Sequence, residues 1–133
     1  MDAKENMEDV TEVSEPMLTI LSSDGQECYL NGSVVGDYMC MMGEDYGATL
    51  SIYYISDGQC LYISGYSWQG EYEGSIIYDK VTSIDLNENK LIYDDGKGNQ
   101  IQVIFLDTGE ISVEQQGSFG EGDTTFEGIY EKS

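Results

Sequence analysis

Residues 62–74 read YISGYSWQGEYEG and gather the only tryptophan of the chain, three tyrosines (Tyr62, Tyr66, Tyr72) and three glycines. Aromatics beside small residues recur at ligand and protein contact surfaces. On an extended chain Tyr66, Trp68, Gly70 and Tyr72 share one face, and Ser67, Gln69 and Glu71 share the other. Three large aromatics on one face are either core or contact. As contact, Tyr66, Trp68 and Tyr72 are the candidate binding residues; as core, they plug a small barrel or cover one end of it. Glycines at 65, 70 and 74 weaken a purely structural strand and let a backbone or ring approach closely.

Metal chemistry has one candidate, calcium. Asp85, Asn87 and Asn89 in DLNENK, and Asp94, Asp95 and Asn99 in DDGKGN, place hard oxygen donors in short loops. Neither loop completes an EF-hand, which needs a bidentate Glu at its twelfth position, and turn chemistry accounts for both sequences. No cofactor is otherwise called for. Catalysis finds no set of groups: without a histidine there is no imidazole base for a serine or cysteine nucleophile. No cationic neighbour lowers the pKa of a thiol. Carboxylate pairs are available by inventory but cluster at turns, so the chain is read as non-enzymatic. Cys28, Cys40 and Cys60 form no C-x-x-C pair. Cys40, alternating with Tyr38 and Met42, reads as a buried thiol, while a Cys28–Cys60 bridge is left open. Asn31-Gly32-Ser33 matches a glycosylation acceptor, which a hairpin turn explains more simply.

The elements that must position these groups are strands. Eleven Tyr and 16 Gly with one Pro suit pleated surfaces joined by turns, and no 12-residue stretch sustains a 3.6-residue period. From Met17 the chain reads MLTIL, ECYLNGSVV, GDYMCMM, ATLSIYYIS, CLYISGYSW, EYEGSIIYD, VTSIDL, KLIYDD, IQVIFLD, EISVEQQ and TTFEGIYEK. The separators are rich in Gly, Asn and Asp. This rhythm predicts an all-β fold, an antiparallel meander closed into a small barrel of about eight to ten strands, because closure removes exposed edges. The last strand, with Phe126, Gly128 and Tyr130 on one face, is expected to pair with GDYMCMM. Gly65, Gly74 and Gly128 are expected where the sheet bends.

Twenty-six acidic residues against five Lys give a formal charge of −21. Such a chain repels phosphate backbones and anionic membranes, which excludes nucleic acid as a partner. The field keeps the protein soluble and monomeric, and can attract cations or a basic partner. No segment is apolar enough to insert into a membrane as a helix. Residues 1–16 carry six acids and few large apolar groups, which predicts a disordered acidic tail preceding a barrel domain at 17–133. The tail has no apolar core and is not itself a signal peptide. Either the chain is an intact cytosolic one or an export signal preceded the tail.

GDYMCMM opening the meander and TFEGIYEK closing it resemble small secreted or lipid-anchored β-barrel domains of Gram-positive bacteria. These often begin on a Gly-x-Tyr strand and end on a Phe-x-Gly-x-Tyr-x-Lys strand. The likeness spans roughly residues 17–133. Calycin-like barrels, including lipocalins and bacterial lysozyme inhibitors, share the form, and Ser64-Gly65-Tyr66 is similar to a strand of the inhibitors. Their paired cysteines and basic loop residues are missing here, so no inhibitory residue is carried over. The resemblance implies a secreted, cell-envelope or lipoprotein setting and a binding or accessory role toward an unknown protein or small ligand. The alternative from charge alone is an intracellular acidic inhibitor that imitates nucleic acid on a basic partner protein.

Overall fold

The computed structural model describes residues 17–21, 27–55, 57–122 and 124–133. The acidic tail at 1–16 and the SSDGQ turn at 22–26 lie outside the described residues. Eleven strands are described: β1 (Met17–Leu21), β2 (Glu27–Asn31), β3 (Gly36–Met41), β4 (Tyr46–Ile55), β5 (Cys60–Gln69), β6 (Tyr72–Lys80), β7 (Ser83–Asp85), β8 (Lys90–Asp94), β9 (Gln100–Phe105), β10 (Ile111–Gln116) and β11 (Gly128–Lys132). There is no α-helix among the described residues, only a single 3-10 turn at Gly32–Val34. That turn is capped by Asn31, whose side-chain oxygen accepts from the Ser33 amide at 2.9 Å, as an Asx turn does.

Nine strands form one antiparallel sheet in the order β6-β5-β4-β3-β11-β10-β9-β8-β7, and β1 and β2 form a separate hairpin. The final strand enters beside GDYMCMM as expected, with Glu131 opposite Met39 and Lys132 opposite Tyr38. It is shorter than its sequence suggested. Residues 124–127 leave the ladder because the Phe126 amide donates to the Gln115 side chain at 2.8 Å instead of to a strand. Gly128 then starts β11 at φ +147, close enough to Cys40 that a Cβ would come within 2.9 Å of its sulfur. Only glycine takes that backbone without strain.

The expected closed barrel is not formed: the sheet curls into an open half-barrel, and no ladder of backbone hydrogen bonds joins its two edges. The reason lies at residues 81–82. The Val81 amide donates to Leu61 and the Thr82 amide to Ile92, so the chain passes from one edge to the other without pairing β6 with β7. Near the start of β6 its edge is taken by the segment joining β10 and β11. There Ser75 donates to Phe119, Glu121 donates to Glu73, and Gly74 bridges Gly120. Across the open seam the Tyr93 hydroxyl donates to Asp79 at 2.8 Å.

Inside the curl lie the alternate residues of each strand, among them Leu50, Ile52, Ile63, Leu91, Ile101, Val103, Ile111 and Val113, around a fully buried Phe126 and Tyr130. The β1–β2 hairpin covers one end with Ile20 and Leu30. It is fixed by the Leu21 amide on Gln59 and the Tyr54 hydroxyl on Thr19. Cys28, Cys40 and Cys60 are all buried free thiols, so the Cys28–Cys60 bridge is not made. Burial pushes the Cys40 thiol up, consistent with a small apolar role. Gly65 and Gly74 sit at close approaches: a Cβ at Gly65 would meet Leu50 and Phe126, and one at Gly74 would meet Ser67 and Thr124. The sheet is also bulged beside Gly65, between Ile63 and Gly65.

Burial raises the phenol pKa values of Tyr130 and Tyr93, for Tyr93 with help from Asp79. The folded protein therefore holds these protons at a pH where an unfolded tyrosine, of pKa about 10, releases them. The associated stability is complete below about pH 10 and falls as pH rises above it. We expect the melting temperature to fall progressively as pH rises above about 10, with these two phenols absorbing as phenolates only on unfolding. Titration of all eleven tyrosines near pH 10 with an intact native circular dichroism signal would contradict this.

Candidate binding site

The hairpin between β5 and β6 decides where the aromatic stretch goes. Gly70 turns the chain at φ +58, and its amide donates to the Asp45 carbonyl at 2.8 Å, tying this hairpin to the β3–β4 turn. With only Gly70 and Glu71 between the strands, Gln69 stands opposite Tyr72 and Trp68 opposite Glu73. Residues opposite one another share a face. Tyr72 therefore points the same way as Gln69, and not with Tyr66 and Trp68 as unbroken alternation predicted. The period-two rule holds within a strand, and the turn resets it.

Tyr66 and Trp68 lie on the convex outer face, their rings stacked with centroids 5.7 Å apart. Tyr66 is 41% exposed. Desolvation first, and then the neighbouring Glu73 carboxylate, hold its phenol above the ordinary range. Trp68 is half-buried because its indole lies across Gly47, where a Cβ would come within 3.0 Å of the ring. It is thus neither a barrel plug nor a free side chain. On the same outer face, Met39 and Met41 of β3 line, together with Ile129, a groove of about 390 Å³. Sequence reasoning passed over these two methionines. Their alternation with buried Tyr38 and Cys40 was the signal that could have found them.

Tyr72 stands at the mouth of the half-barrel, at the end away from the β1–β2 hairpin. A cavity of about 760 Å³ there is lined by Asp45, Tyr46, Gln69, Gly70, Tyr72 and Gly122. Gly122 lies against the Tyr72 ring, where a Cβ would come within 2.9 Å. Behind the mouth a smaller cavity of about 80 Å³ is shared by Met42, Tyr46, Trp68, Gln69, Thr124 and Thr125. Gln69 and Tyr46 border both spaces, and the Gln69 side-chain oxygen is buried without a hydrogen-bond partner. The structure thus brings Tyr66 and Trp68 together outside, and Trp68 and Tyr72 to adjoining cavities. Asp45, Tyr46 and Gln69 carry no motif that would have singled them out in the sequence.

The calcium candidates are not brought together. Asp85 ends β7 and Asn87 stands in the turn before β8, while Asp94 and Asp95 stand at the other end of β8. Each carboxylate is engaged in its own turn. Asp85 accepts from the amides of Asn87 and Glu88, Asp94 from that of Gly96, and Asp95 from those of Lys97 and Asn99. Hydrogen bonds from Asn99, led by its side chain, hold Asp95 below the usual carboxylate range. Among the described residues no three His, Cys, Asp or Glu side chains gather at a metal-holding distance. No helix among them is long and apolar enough to cross a membrane. Compared with known proteins, the chain matches no family model, no curated protein and no solved structure.

Proposed function

We propose that this domain is a non-enzymatic binding module working outside the cytoplasm, secreted or held at the cell envelope. Its partner contact is the mouth end of the half-barrel, with Tyr66, Trp68 and Tyr72 as contact residues. One observation carries the reading: the core is already filled by Phe126 and Tyr130, and the aromatics of 66–72 lie outside it, with Tyr66 41% exposed on the convex face and Tyr72 49% exposed beside a cavity. Rigid aromatics next to a concavity are what contact surfaces concentrate. The extracytoplasmic setting is carried by the likeness of the GDYMCMM and TFEGIYEK strands to exported domains.

The formal charge of −21 favours a second reading, the intracellular inhibitor whose carboxylates imitate a phosphate track. A photo-crosslinking side chain placed at Tyr72, and in a second variant at Asn87 on the remote turn, separates the two in native cells. We expect an adduct from position 72 alone, recovered in the envelope or medium fraction. Equal adducts from both positions in the cytosol would favour the inhibitor. Absence of any adduct at position 72 would sink the module.

A further inference from the structure

We infer that the mouth takes an organic cation, an alkylammonium or guanidinium group supplied by a small amine or by a lysine or arginine of a partner. This rests on the binding reading above and specifies its chemistry. Tyr46 and Tyr72, both substantially exposed, line the same cavity, and aromatic rings attract a desolvated cation to their faces. Asp45 stands at the rim, and the cavity's described lining contains no lysine. Strand direction keeps Lys80, Lys90 and Lys132 at the ends of their strands away from the mouth, and Lys97, on the β8–β9 turn at the mouth end, is not among the lining residues. The three segments around the mouth instead carry exposed Glu44, Glu71 and Glu121.

At the back, the buried oxygen of Gln69 is an acceptor with nothing to accept from. Leaving such an atom unmade is costly, and an N–H donor removes the cost. An anion would be repelled by the rim, and an apolar ligand would bury Asp45 and Gln69 without compensation. A bare metal ion lacks a gathered set of ligands. A cation that also donates N–H bonds answers all three features. A water molecule in the small cavity could satisfy Gln69 equally well, so the test must separate the two.

The probes are hexylammonium chloride, neutral 1-hexanol, hexanoate and the peptide acetyl-Gly-Lys-Gly-amide. They are titrated into the ¹⁵N-labelled full chain at about 0.15 M salt, where long-range attraction is screened. We expect saturable shifts of the Asp45, Gly70 and Tyr72 amides and the Gln69 side-chain amide with hexylammonium. We expect weaker binding of 1-hexanol by about tenfold and none of hexanoate. Asp45→Asn and Gln69→Leu should each weaken the amine roughly threefold to tenfold, while resonances elsewhere stay in place to report an intact fold. A peptide that binds more tightly than the free amine identifies the source as a partner's side chain; the reverse identifies a small amine.

Three results overturn the inference. Unsaturable shifts spread over every acidic turn would mean counterion attraction alone. Equal affinity for 1-hexanol would mean an apolar mouth. An unchanged affinity in Gln69→Leu would mean that water satisfies the amide and that the group is not part of the site. If any of these occurs while the position-72 crosslink persists, the cation chemistry falls and the binding module stands; loss of the crosslink removes both.

Discussion

Phe126→Ala is expected to destabilise the domain by about 3–5 kcal/mol, the range for deleting a fully buried aromatic ring. The ring is fully buried and packs edge-on against Phe119 with centroids 6.0 Å apart. It also occupies the space left by Gly65, whose missing Cβ would fall 2.8 Å from it. Its backbone is equally committed, the amide to Gln115 and the carbonyl to the Tyr130 hydroxyl at 2.6 Å. The surroundings cannot collapse into the gap easily, because the neighbouring strands are held in register on both sides. Chemical denaturation measures the loss. A change under about 1 kcal/mol would mean that Phe126 is not the centre of the core.

Gly120→Val is expected to cost about 2–3 kcal/mol by overpacking and to leave a distinct local signature. A Cβ at this position collides with the Gly74 Cα and the Glu73 carbonyl, both backbone atoms that no rotamer change can move. The segment must then lift from β6, breaking the Ser75–Phe119 and Glu121–Glu73 hydrogen bonds. Hydrogen exchange should show the amides of Ser75 and Glu121 losing protection, with those of β4 and β9 little changed. Exposure of this part of the β6 edge should also make the variant more prone to aggregate. Wild-type stability with Ser75 still protected would refute the seating of this segment on β6.

The strand plan was legible because its signals are local. Asp57-Gly58, Asp107-Thr108-Gly109 and the period-two pattern of IQVIF each decide their structure within a few residues. The partner of the last strand was legible as well, since Phe126 and Tyr130 needed a buried neighbour and GDYMCMM offered one. Closure was not legible, because it depends on how Val81 and Thr82 divide their hydrogen bonds between edges that meet only in three dimensions. The site was legible by composition and not by geometry. Trp68 and Tyr72 do reach adjoining cavities, yet alternation counted through Gly70 put them on one face. Gln69 carries no sequence signal, since its place between two cavities, with its oxygen unpaired, is a product of the three-dimensional fold.

The strand made last lies in the middle of the sheet. β11 pairs through residues 128–130 with β10 and through 131–132 with β3, so it is the seam along which two independent meanders, β3–β6 and β7–β10, are joined. On a ribosome both meanders can be complete while their inner edges still stand bare. The nine-stranded sheet becomes continuous only when the segment after Asp123 has cleared the exit tunnel. Until then the nascent chain carries two open ladders, the state in which β proteins are most prone to mispair with their neighbours.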